Sequence, residues 1–341
     1  MSAPTDGLVA SALRLPRVGS TVRAARQFSR TATPAPRTDG QQQFRMRSAM
    51  DLDPRIGKWV SRRAITVSNP QAWDLVDPAV STVIDPGEIE PAVAALRRDG
   101  FYVFRRIVDS AFTDEVRSYA ERVPCTARGA QTPPERYPRA NPTSGRYDIS
   151  ETDALGCPQV QEFVSDPAMA RIAQLYLGQP VVMDEVAFWW TTNRKAEDAD
   201  VNAQLFHQDR DRLSFLKFFM YLTDVTPSTG PHVYLRGSHR RLPRALRGDG
   251  RKSDAAVRAA GLSEDIVEIC GPAGSLMAVD TIGLHKGKTP ETSDRLALEN
   301  EFATSLFGAD YERPTFTPTA LMSERMASMP WLLQRYVTSG G

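Results

Sequence analysis

The chain has 341 residues, 41% of them hydrophobic and 24% charged, with a formal net charge of +1. That length holds one large domain or two modest ones, with core enough to need no staples. The near-neutral balance excludes a global field that would recruit nucleic acid or an anionic membrane, and no apolar run reaches the length of a bilayer span.

The first 47 residues differ from the rest. Arg14, Arg17, Arg23, Arg26, Arg30, Arg37, Arg45 and Arg47 face only Asp6 and Asp39, with serine, threonine, alanine and proline between them. Such a segment buries too little apolar surface to order itself, so residues 1–47 read as a disordered tail. The same composition fits an organellar transit peptide, or an upstream start with true initiation near Met46 or Met50. The tail or start reading is preferred.

From Asp51 no repeat or Gly/Ser linker divides the chain, and residues 48–341 read as one domain. "PGEIEPAVAALRRDG" has Pro86 and acidic residues early, Arg97 and Arg98 late and Gly100 as a stop, which predicts a helix. "FYVFRRI" predicts a short strand over 101–107, and "DSAFTDEVRSYAERV" a second capped helix. Residues 124–144, rich in proline, arginine and threonine, read as a long loop, and helical pieces over 160–176 end at Gly178.

After Gly178 the texture changes to strands. "PVVMDEVAFWWTTN", "AQLFHQD", "LSFLKFFMYLTDV", "HVYLR", "DIVEIC", "SLMAVD" and "RLALENEFATS" are short β-rich runs separated by turn residues. Helices followed by strands predict a mainly β core, an antiparallel sandwich or jelly roll with helices outside. The charged segment Pro243 to Glu264 reads as a surface excursion. Cys125, Cys157 and Cys270 are scattered and odd in number, which points to a reducing, cytoplasmic setting and away from a disulfide scaffold.

His207 and Asp209 stand two residues apart on a predicted strand, so their side chains share a face. A third donor must come from elsewhere, and His285 after "SLMAVD" is the best candidate. His232 in "TGPHVYL" and His239 in "LRGSHRR" are read as structural. Two imidazoles and one carboxylate on one side of an ion form the facial set of non-haem Fe(II) oxygenases. The plain alternative is a satisfied polar pair at a strand end. Arg295 lies ten positions past His285, where a guanidinium can grip the far end of a dicarboxylate. Its alternative is an ion pair with Asp294 or Glu299.

"LFHQD", "YLTDVTPSTGPHVYLRGSHR" and "GLH" with Arg295 resemble the phytanoyl-CoA dioxygenase family, and "RRDGFYVFRRIVD" resembles that family's opening helix-to-strand junction. The likeness spans Glu88 to Ser305. It implies a double-stranded β-helix of the jelly-roll, cupin-like kind. It also implies Fe(II), 2-oxoglutarate and O2 as cofactor and co-substrates, with His207, Asp209 and His285 as iron ligands and Arg295 on the distal carboxylate. The implied reaction is hydroxylation of an unactivated C–H bond of a small molecule, with succinate and carbon dioxide as co-products. Halogenating relatives replace the ligand carboxylate, so Asp209 implies hydroxylation.

The superfamily often places a serine two residues past its anchor arginine, and here that residue is Ala297. Lys217 shares parity with Phe215, Phe219 and Tyr221; if that face lines the barrel its buried ammonium needs an anion, and 2-oxoglutarate is a candidate. The other face, Leu216, Phe218 and Met220, is equally apolar, so parity alone does not choose. Phe188, Trp189 and Trp190 are candidate pocket walls or plain core. Arg210, Asp211, Arg212, Arg146 and Tyr147 are candidates for the substrate mouth or solvated surface. Two rivals remain: a non-catalytic member of the fold that binds a metal or ligand, and a zinc hydrolase using the same three donors.

Overall fold

The structure is a computed structural model that describes residues 74, 76–194, 204–248, 250–304, 306 and 313–336. The arginine-rich segment 1–47 lies outside the described residues.

The first long helix, α1 (Ile89–Asp99), follows a single 3-10 turn capped by the Asp85 carboxylate, and it buries Ile89, Ala92, Val93 and Leu96. Gly100 ends it at φ 92°, and a Cβ there would collide with the Tyr234 hydroxyl and the His239 ring. Strand β1 (Phe101–Val103) is shorter than the expected 101–107. The Glu88 carboxylate accepts from the Arg105 and Arg106 amides at 2.9 and 3.3 Å, which turns the chain off the sheet edge. Asp109 caps α2 (Ser110–Ala120).

The stretch expected as a loop contains β2 (Pro124–Ala127) and β3 (Glu135–Arg136), and β4 (Arg146–Ile149) follows. Three helices come next: α3 (Glu151–Ala154), α4 (Pro158–Val164) and α5 (Pro167–Leu177). Pro167 lacks the amide that would continue α4, and the Asp166 carboxylate caps the new start by accepting from Ala168 and Met169.

The strands are β5 (Val182–Thr191), β6 (Phe215–Tyr221) and β7 (His232–Leu235). After the short helix α6 (Asp254–Ala259) come β8 (Ile266–Ile269), β9 (Leu276–Val279), β10 (His285–Gly287) and β11 (Arg295–Ala303), then helix α7 (Ala320–Ser328). Eight strands form one sheet in the order β1-β9-β6-β11-β5-β4-β2-β3, and three form a second, β10-β7-β8. Every pairing is antiparallel. This is the jelly roll expected from the sequence, a double-stranded β-helix with helices packed outside.

The large sheet has two unlike faces because side chains alternate along a strand. Leu216, Phe218, Met220, Leu296, Leu298 and Phe302 pack beneath the helices with Leu96, Phe163 and Ile172. The opposite face carries Lys217, Phe219, Tyr221, Arg295, Ala297, Glu299 and Glu301, and it looks into the barrel. The segment read as a surface excursion is docked instead: Leu246 and Val257 are buried against Val233, Leu235 and Leu284. No helix among the described residues is long and apolar enough to cross a membrane.

Candidate metal centre

His207 and His285 meet through the backbone before their rings do. The His207 amide donates to the His285 carbonyl at 2.9 Å and the His285 amide returns the bond at 3.0 Å. The two residues thus form an isolated antiparallel bridge between their segments. Asp209 is tied in turn by its amide to the Thr281 carbonyl at 2.9 Å. His207 Nε2 lies 3.6 Å from one Asp209 oxygen, and His285 Nε2 lies 3.5 Å from the other. One ligand atom from each residue lies within 4.8 Å of the others, a spacing that a single ion with bonds of about 2 Å spans.

The ring orientations suit metal binding. His207 Nδ1 is 2.9 Å from the Leu205 carbonyl and His285 Nδ1 is 3.0 Å from the Gly283 carbonyl. Each Nδ1–H therefore donates to the backbone and leaves the Nε2 lone pair free. Burial, reinforced by His285, pushes His207 down to about 3, so its ring is neutral at physiological pH. Burial alone would raise Asp209, but Lys217 and the two histidines outweigh it and hold the carboxylate well below its ordinary value.

The three donors open onto a cavity of about 680 Å³. Arg295 lines it and is only 5% exposed. One guanidinium nitrogen donates to the Gly230 carbonyl and the other to the Thr191 hydroxyl at 3.2 Å. No carboxylate among the described residues pairs with it, so neither Asp294 nor Glu299 is its partner. Asp294 instead accepts from the Tyr137 hydroxyl and the Asn193 amide. Burial lowers the Arg295 pKa, as expected of a desolvated cation without a counter-ion.

Lys217 faces the barrel interior and is 6% exposed. The anion that its burial requires comes from the chain itself. Its ammonium lies 3.0 to 3.5 Å from Asp209, Asp211, Glu299 and Glu301. The expected contact between Lys217 and a 2-oxoglutarate carboxylate is thus not required by the charge balance. Burial would lower the lysine, but the four carboxylates raise it well above its ordinary value. Burial raises Glu299 and, more strongly, Glu301. Glu185, on the same cavity wall, is pushed up to about 8 by burial.

Trp189 stands in the cavity wall with the Arg146 guanidinium 4.2 Å above its ring, and its indole N–H donates to the Thr191 hydroxyl at 3.2 Å. Trp190 points the other way and stacks on Tyr137 at 4.5 Å, while Phe188 belongs to the core beneath the helices and only borders the cavity. Two of the mouth candidates are structural. Arg212 is a buried bidentate partner of Asp184 at 2.5 and 2.7 Å, and the buried Tyr147 hydroxyl accepts from the Thr143 and Ser144 amides. Asp211 and Arg146 do line the cavity. His239 is buried beside Gly100, away from the cavity lining.

His232, read as structural, lies in the cavity wall. Its ring is parallel to that of His285, 5.4 Å away, and 5.0 Å from Phe219. Burial, with His285 and Arg295 nearby, lowers its pKa well below the ordinary value, so the ring is neutral.

Several solved structures resemble this one. The epimerase SnoN in complex with Fe3+, alpha ketoglutarate and nogalamycin RO is 19% identical, with a TM-score of 0.46 over 64% of this chain and 84% of that one. HygX from Streptomyces hygroscopicus with nickel and 2-oxoglutarate bound is 19% identical, with a TM-score of 0.47 over 64% and 88%. EctD from S. alaskensis with bound Fe is 16% identical, with a TM-score of 0.44 over 73% and 94%. No curated protein matches the sequence. The sequence profile described as Phytanoyl-CoA dioxygenase (PhyH) matches residues 96–296, more than half of the chain, from the end of α1 into β11. With that match spanning every donor and Arg295, the chain belongs to the phytanoyl-CoA dioxygenase family.

Proposed function

We propose that this protein is an Fe(II)- and 2-oxoglutarate-dependent oxygenase that hydroxylates an unactivated C–H bond of a polar small molecule. The observation that carries this reading is the pairing, within one cavity, of the His207/Asp209/His285 cluster with a buried guanidinium that has no carboxylate partner of its own. Two imidazoles and a carboxylate on one side of an ion suit Fe(II) and leave its other side for ligands. Iron held there, with 2-oxoglutarate and O2, supplies the oxidising power, and succinate and carbon dioxide are the co-products.

The remaining work belongs to the chain. His207 and His285 present Nε2, held in register by their backbone bridge. Lys217 fixes the orientation of the Asp209 carboxylate at 3.1 Å. Arg295 grips the distal carboxylate of 2-oxoglutarate and so sets how far the keto acid reaches toward the donors. Trp189 and Phe219 supply apolar wall to the cavity. Asp209 occupies the third ligand position with a carboxylate, which favours hydroxylation over halogenation. The walls carry Arg128, Arg146, Asp148, Glu185, Arg251 and Arg313, a lining matched to a polar substrate and unsuited to a long acyl tail.

The test is substrate-stimulated succinate formation that requires oxygen and 2-oxoglutarate and is abolished in His207→Ala, with label from 18O2 appearing in the product. Turnover that persists anaerobically with zinc assigns a hydrolase instead. A halogenated product overturns the hydroxylase assignment.

A further inference from the structure

The proposed co-substrate site has no hydroxyl two residues past its anchor arginine, where the superfamily often places a serine, because Ala297 stands there on the cavity side of β11. A dicarboxylate gripped only by Arg295 would leave oxygens of its far end without donors. The wall beside it contains another polar group. His232 is 7% exposed, and no group among the described residues makes a hydrogen bond to its ring. Its backbone amide donates to the Tyr221 hydroxyl at 2.9 Å, which fixes the start of β7. The residue lines the cavity, with its ring parallel to the His285 ring at 5.4 Å and braced by Phe219 at 5.0 Å. Gly230, two residues earlier, holds the Arg295 guanidinium through its carbonyl. The imidazole therefore stands on the wall between the anchoring arginine and the candidate iron ligand.

A buried imidazole N–H without a partner is costly, and a carboxylate beside it would remove that cost. The ring is also too well packed to swing away in search of one. Resting on the co-substrate reading above, we propose that His232 is the second anchor of 2-oxoglutarate, its ring N–H donating to the distal carboxylate that Arg295 grips. It takes the place of the hydroxyl missing at Ala297 and fixes the rotation of the carboxylate about its terminal C–C bond.

The test uses the full chain loaded with Ni(II), with calorimetric titration of 2-oxoglutarate and of 2-oxobutyrate, which keeps the chelating end and lacks the distal carboxylate. His232→Leu is expected to weaken 2-oxoglutarate at least about tenfold while leaving 2-oxobutyrate and Ni(II) affinity unchanged. His232→Gln, which keeps an N–H donor, is expected to recover most of the loss. Equal 2-oxoglutarate affinity in wild type and His232→Leu overturns the inference. So does a loss shared equally by 2-oxobutyrate, or a Gln variant as weak as the Leu variant with an unchanged melting temperature. A wild-type protein that binds Ni(II) but no 2-oxoglutarate defeats the underlying oxygenase reading instead.

Discussion

The two faces of the large sheet share one backbone and differ in nearly everything else. Under the helices, Phe218, Met220, Leu296 and Leu298 are fully buried among apolar neighbours. On the cavity side of the same strands, Lys217, Arg295, Glu299 and Glu301 are buried too, but as charges. Burial stabilises the first face by roughly 25 cal/mol per Å² of apolar area removed from water. On the second face the ion pairs roughly offset their own desolvation, so that side adds little net stability. The sheet thus divides its labour: the helix face holds the fold, and the cavity face spends part of that stability on positioned charge.

That division can be broken from either side. The largest effect is expected from His285→Ala, which should lower metal affinity more than about 100-fold while leaving the melting temperature of the metal-free protein nearly unchanged. Equilibrium dialysis and a melt of the apoprotein check both halves. Phe218→Ala should do the reverse, destabilising the fold by about 3–5 kcal/mol in urea with metal affinity retained. Lys217→Met should cost about 3 kcal/mol, at the low end for breaking a buried pair, because burial already raises Glu299 and Glu301 and so eases their neutralisation. If Lys217→Met were as stable as wild type, the charge network would have no structural part.

The last effect depends on pH. Glu185 rises from an ordinary 4.5 to about 8 on folding, so the folded state holds its proton longer than the unfolded state. Wild-type stability therefore falls, relative to Glu185→Gln, as pH rises from about 4.5 to 8, and the gap levels off above that. Urea midpoints of the two proteins should nearly coincide at low pH and favour the variant at high pH. A gap independent of pH would remove Glu185 from the desolvated cavity wall.

Much of this was legible in the residues. The jelly roll followed from the order of helices and strands; His207 and Asp209 do converge, although the strand expected to carry them is reduced to isolated bridges at Phe206 and His207. Lys217 was not legible from its own strand, because β6 is apolar on both faces. Its neighbour settles the matter: β11 places Arg295, Glu299 and Glu301 at even spacing on one face, and the register sets Glu301 opposite Lys217. Charges confined to alternate positions of an apolar strand were the available signal. Arg212 could not be read, since its partner Asp184 comes from another strand and only tertiary packing joins them. The place of His232 in the cavity wall was not legible for a related reason: a histidine after a turn shows no neighbours until β7 is laid beside β10.

The reciprocal amide bonds between residues 207 and 285 have a consequence for how such a chain can diversify. The distance between two of the three donors is set by a hydrogen-bonded rung, not by the length of polypeptide connecting them. Within the intervening stretch, which also carries Lys217 and His232, the segments away from the cavity wall can change without moving that rung. Selectivity at the entrance and reactivity at the centre are then separately adjustable, as in an instrument with independent aperture and focus.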